Sequence, residues 1–208
     1  MHSKIINKVA KEYFKPHSIK QKGRSRIWLD TQDWFSIIIE FQPFSGRLGT
    51  ALNVAVNFHW LEQDYFSFDV GGRIYTEQEQ FIEYKDEDDF EVQVKNFCEI
   101  AIIKISEYRN IFNSFENAKD FILTYNFTSN SIYGNYHKYI ICRLTKNSDL
   151  ARKYFQNLLS IENEHNLAWI DKVKNAIREL NLLSDDEFFK EIQSIIKRTK
   201  IMKKIDTE

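Results

Sequence analysis

The side chains best suited to chemistry in this chain gather between Arg24 and Arg73. They are Arg24, Arg26, Trp28, Gln42, Asn53, Asn57, His59 and Arg73. Guanidinium groups grip carboxylates and phosphates as planar forks. Asn and Gln both donate and accept hydrogen bonds, and an indole offers a flat surface for stacking. Such a set suits recognition better than bond-breaking. His59 with Glu40 could in principle supply a base and an acid, but strand spacing sets them about 20 Å apart. The five histidines His2, His17, His59, His137 and His165 include no pair at i+3 or i+4, so no zinc site is expected. The acidic run Asp86 to Asp89 suits the first turn of a helix, where carboxylates complement the helix dipole, and it lacks calcium-loop spacing. Cys98 and Cys142 stand alone, without a CxxC motif or a strand-to-helix nucleophile turn, and read as small buried apolar residues. The stretch Gly46 to Gly49 is too short for a phosphate loop. No catalytic residue, metal or cofactor is expected.

These side chains need a sheet to carry them. In residues 34–42 the odd positions Phe35, Ile37, Ile39 and Phe41 are apolar; in residues 51–60 the even positions Leu52, Val54, Val56, Phe58 and Trp60 are. Period two marks strands, and the opposite parity pairs Phe41 with Leu52, Ile39 with Val54, Ile37 with Val56 and Phe35 with Phe58. Pro43, Gly46 and Gly49 predict a loop between the two strands. A preceding strand over residues 24–30, reversed by a turn at Asp30 to Asp33, would set Leu29 against Phe35 and Ile27 against Ile37. Arg24, Arg26, Trp28, Ser36, Glu40, Gln42, Asn53, Asn57 and His59 then share the other face. That face is either simply solvated or a shallow polar binding surface.

Helical spacing of Ile5, Ile6, Val9, Ala10, Tyr13 and Phe14 predicts a helix over residues 3–15, ended near Pro16, covering the apolar face. Residues 80–84 are a candidate fourth or edge strand. A long helix follows Asp86, lined by Phe90, Val94, Phe97, Cys98, Ala101, Ile105, Tyr108 and Phe112. Further helices are expected over about 115–125, 135–145, 149–161, 165–181 and 185–200, with N-caps at Asn147 and Ser184. The expected architecture is α+β: an N-terminal helix packed on an antiparallel sheet of three to four strands, then a mostly helical C-terminal half. The expected division is 1–115 for the sheet domain with its long closing helix and 116–208 for a helical subdomain packed on it.

The 208 residues carry a formal net charge of −1, so no general attraction to nucleic acid or acidic membranes is expected. Seventeen Phe and ten Tyr against six Gly and two Pro argue for ordered structure. No apolar run is long enough to span a bilayer and no signal peptide is evident, which predicts a cytoplasmic location. The basic end (Lys197, Arg198, Lys200, Lys203 and Lys204) reads as a solvated helix terminus, with nucleic-acid contact the weaker alternative.

Several short stretches resemble the family called domain of unknown function 4304. They are Ile19 to Arg24 entering the first strand, Gln42 and Ser45 closing the second, Asn53 in the third, and Gly72, Arg73 and Ile74 after the sheet. The likeness covers roughly residues 3–115. It implies an uncharacterised bacterial grouping without an assigned activity, and it singles out Arg24, Gln42, Asn53 and Arg73. The function expected is non-catalytic binding of a protein partner, with an immunity-like blocking of a toxin as one version. The alternative is an enzyme or binder acting on nucleic acid or a nucleotide through the polar face. Whether the chain forms homo-oligomers is not legible in the sequence.

Overall fold

A computed structural model describes residues 2–75, 81–127 and 131–205. The elements in order are α1 (His2–Phe14), β1 (Lys20–Gln21), β2 (Ile27–Thr31), β3 (Phe35–Phe44), β4 (Arg47–Phe58), β5 (Val70–Arg73), β6 (Ile82–Glu83), α2 (Glu87–Ile111), α3 (Phe115–Thr124), α4 (Ile132–Leu144), α5 (Ser148–Ser160), α6 (Ala168–Asn181) and α7 (Asp185–Met202). The class is α+β, as the periodicities predict. The chain divides into two compact units, Met1–Phe58 with Tyr65–Asn110, and His59–Asp64 with Ile111–Glu208.

In the first unit the sheet is antiparallel in the order β1-β2-β3-β4-β5, with β6 pairing the start of β4. The β3–β4 register is the one the opposite parities require: Phe35 pairs Phe58, Ile37 pairs Val56, Ile39 pairs Val54 and Phe41 pairs Leu52. Those eight side chains are buried on one face. Two helices cover that face. Phe14 of α1 lies 5.4 Å from Trp28 and 6.3 Å from Phe41, while Arg109 of α2 reaches Asp30. The acidic run works as a cap, since the Asp89 N–H donates to Asp86 Oδ1 at 2.9 Å.

The strand β2 departs from expectation. Ile27 pairs Glu40, Trp28 pairs Ile39 and Asp30 pairs Ile37, three residues along from the expected pairing. An odd shift exchanges the faces. Trp28 and Asp30 therefore sit on the helix-covered face, and Ile27 and Leu29 on the other. The cause is Asp30, which is 3% exposed and accepts from Arg109 Nε at 2.9 Å, Arg109 Nη2 at 2.8 Å and Gln32 Nε2 at 2.9 Å. The hydrogen bond with Asp30 holds the Arg109 guanidinium above its ordinary pKa. The chain then reverses two residues later than expected, at Asp33 and Trp34, where the Gln32 N–H donates to Phe35 O at 2.9 Å.

The β3–β4 loop is shorter than Pro43 and the glycines suggest. The strands run to Phe44 and resume at Arg47, with a register irregularity between Gln42 and Phe44. Pro43, which has no N–H to give the ladder, falls within that irregularity. Gly46, at φ +78, makes the turn. Gly49 is required by close approach: a Cβ there would lie 2.1 Å from Ile82 O of β6.

In the second unit α4 is the helix the others surround, touching α3, α5, α6 and α7. Its Tyr136, Tyr139, Ile140, Ile141 and Cys142 are buried. The indole Nε1–H of Trp60 donates to His137 Nδ1 at 3.0 Å, and the Tyr136 hydroxyl donates to Trp60 O at 3.0 Å. Ser184 and Glu187 form the expected capping box at the start of α7, and the Asn147 side chain caps α5. Lys174 Nζ donates to Leu159 O at 3.2 Å and to Ile161 O, placing a cation at the C-terminal end of α5. Arg198, expected in a basic solvated end, is ion-paired with Glu62 and Glu191, each at 3.0 Å, and Lys203 is buried. No helix among the described residues is long and apolar enough to cross a membrane.

Candidate functional site

The face opposite α1 and α2 is not uniformly polar. Its centre is filled by Leu29, Ile38 and Ala55, all buried, and its polar side chains fall into two groups at opposite ends. Asn53 and Asn57 anchor the two groups, four residues or about 13 Å apart along β4.

The first group lies toward the β3–β4 turn. Asn53, 3% exposed, donates through Nδ2 to Glu40 Oε2 at 2.7 Å and to Gln42 Oε1 at 3.0 Å. Its Oδ1 accepts from Arg73 Nε at 2.8 Å, and Arg73 Nη2 donates to Gln42 Oε1. The register explains the grouping: Glu40 pairs Asn53 across β3–β4, and Asn53 pairs Arg73 across β4–β5. The Asn53 amide is polarised between a carboxylate and a guanidinium, each bond strengthening the other. Arg73 also lies over the Phe44 ring, 5.2 Å from its centroid. Phe44 packs edge-on against Phe81 at 4.9 Å, and Arg47 lies over Phe81 at 4.3 Å while pairing with Glu83 at 3.9 Å. Phe44 is 41% exposed; Leu48, next to Arg47 in the chain, is 58% exposed and Tyr75, two residues beyond Arg73, is 68% exposed.

The second group is an internal tie. Asn57 Nδ2 donates to Ser67 Oγ at 2.9 Å and to Asp69 Oδ2 at 3.1 Å. The Phe58 N–H also donates to Asp69 Oδ2, at 2.7 Å. With Asn57 fully buried, this group holds the segment before β5 against the end of β4.

The other residues singled out from the sequence go elsewhere. Arg24 is exposed in the bend before β2. Arg26 turns to α1, donating through Nη2 to Ser3 Oγ at 2.7 Å with His2 Nε2 at 3.5 Å. Trp28, expected on the polar face, is 3% exposed on the opposite one, packed against Phe14. His59 lies beyond the end of β4, fully buried, in the second unit. The structure thus joins Gln42, Asn53 and Arg73 with Glu40, which the sequence also places on this face, and separates Arg24, Arg26, Trp28, Asn57 and His59 from them.

Phe44, Arg47, Leu48, Tyr75 and Phe81 were not anticipated. A signal was present: Phe44 and Arg47 flank Ser45 and Gly46, a two-residue turn at which large side chains would stand at a sheet corner. Neither cysteine is poised to react, because burial pushes the Cys98 thiol up to about 12 and the Cys142 thiol to about 11. Among the described residues no three or more His, Cys, Asp or Glu side chains cluster as a metal site.

What the hairpin end can do chemically is present a fixed guanidinium and exposed rings. No family model, curated protein or solved structure matches the chain.

Proposed function

We propose that the chain is a non-catalytic binding module for a protein partner, and that the end of the β3–β4 hairpin is its contact surface. One observation carries this reading: Arg73 is held by Asn53 and Gln42 over the ring of an exposed Phe44. Arginine and aromatic side chains dominate the energetics of protein interfaces. A side chain already fixed in place loses less entropy on binding, so more of its contact energy appears as affinity. An inhibitory partner of a toxin would need a surface of this kind.

The test is affinity capture from the source cells, quantified by mass spectrometry. The wild type is compared with Arg73→Gln, Phe44→Ala and a control, Ile103→Ser, on an exposed position of α2. A protein held by wild type and control but lost from both hairpin variants supports the reading; Phe44→Ala should weaken it at least about tenfold, or about 1.4 kcal/mol. Equal retention on all four proteins counts against it. Oligonucleotide binding that falls steeply with salt would instead favour the nucleic-acid alternative.

A further inference from the structure

We infer that the hairpin end receives an acidic segment of its protein partner, with an Asp or Glu carboxylate against Arg73 and an apolar side chain against Phe44. This rests on the binding function proposed above and gives the partner's chemistry. Arg73 is half-buried, and its described partners are all neutral: the Asn53 and Gln42 amide oxygens and the Phe44 ring. No carboxylate among the described residues forms an ion pair with it. Glu40 is committed to the Asn53 amide, which stands between it and the guanidinium.

A guanidinium removed from water gains most from a carboxylate accepting two parallel N–H bonds. Here Nε and one Nη2 proton are taken by neutral amides, which leaves Nη1 and the second Nη2 proton outside the hydrogen bonds of the described residues. Two neutral acceptors orient the fork, and Glu40 acts on it only through the Asn53 amide. Arg47, about half exposed, adds a second cation at the same end, with Glu83 at 3.9 Å as a loose partner. Phe44, 41% exposed, sets an accessible apolar ring against the Arg73 cation. A segment mixing acidic and apolar side chains complements both features; a basic one would place like charges together.

The probe is a library of random dodecapeptides displayed on phage, selected against the whole protein. Recovered sequences are synthesised and titrated against wild type, Arg73→Gln, Arg73→Lys and Phe44→Ala. Arg73→Gln should keep the fold, which is checked by continued protection of the Cys98 thiol. The expected result is an excess of Asp and Glu, with binding reduced at least about tenfold by Arg73→Gln and partly restored by Arg73→Lys. Peptides that need Phe44 but lack acidic residues and ignore Arg73→Gln would overturn this inference while leaving the binding surface standing. A selection yielding no peptide sensitive to either residue would overturn both.

Discussion

Removing the Arg109 guanidinium should destabilise the sheet unit through the carboxylate it leaves buried, Asp30. The Asp30 side chain is 4% exposed and accepts two bonds from Arg109, at 2.9 and 2.8 Å. Arg109→Ala leaves that carboxylate buried with Gln32 as its remaining side-chain donor. Breaking a buried pair from one side costs about 3–5 kcal/mol. Arg109 is itself 36% exposed, so water enters once its side chain is cut back, and a cost below that range, about 2–3 kcal/mol, is expected. Asp30→Asn keeps the shape and removes the charge, while Arg109 can turn to water; about 1–2 kcal/mol is expected. The assay is pulsed thiol labelling across a urea series, read by mass spectrometry. Buried Cys98 reports the sheet unit and buried Cys142 the helical one. At a slope of about 2 kcal/mol per molar urea, the Cys98 midpoint should fall by about 1–1.5 M in Arg109→Ala. If both substitutions stayed within about 0.5 kcal/mol of wild type, Asp30 would belong in the Asp30 to Asp33 turn that the sequence predicts, and the β2 register of the structure would be wrong.

Asn57→Asp should cost about 2 kcal/mol or more at neutral pH, because it sets a carboxylate beside Asp69 in place of a donor 3.1 Å away. Stability should recover as the pH falls and the pair takes up a proton, and urea midpoints at several pH values would show this. Trp60→Phe keeps an aromatic ring but removes the indole N–H that His137 Nδ1 accepts, so the Cys142 midpoint should fall by an amount equivalent to about 1–3 kcal/mol. Glu187 is held below its ordinary pKa, first by the Ser184 hydroxyl and then by the Ser184 backbone N–H. Its contribution is therefore complete above the unfolded value of about 4.3 and lost as the pH falls through the folded value, so Glu187→Gln should flatten the acid limb of the thermal-melting profile.

The parts of the fold legible in the sequence are those whose signals are local. The β3–β4 register followed from two strands whose apolar residues occupy opposite parities, and the helix starts at Ser148 and Asp185 followed from their caps. The β2 register was not legible, because Ile27, Trp28 and Leu29 are apolar at both parities. The residue that decides it, Asp30, finds its partner 79 positions later. Gly71 and Gly72 give β5 no side-chain alternation to read, although β5 carries Arg73. Half of the candidate site was visible for the same reason. Gln42 and Asn53 lie on the legible hairpin, whereas Trp28 changed faces with its strand and Phe44 was hidden by a Pro43 that looked like the start of a loop.

Arg73 must be held still before any partner arrives if it is to act as an anchor. The most direct measurement is the side-chain Nε–H resonance of Arg73 in a nitrogen-15 NMR spectrum of the free protein, with exposed Arg24 as the internal reference. The bond to Asn53 Oδ1 at 2.8 Å predicts a shifted Arg73 signal that exchanges with water more slowly than that of Arg24, and that loses this protection in Asn53→Ala. An Arg73 signal exchanging as fast as that of Arg24 in the wild type would contradict a fixed guanidinium at the hairpin end.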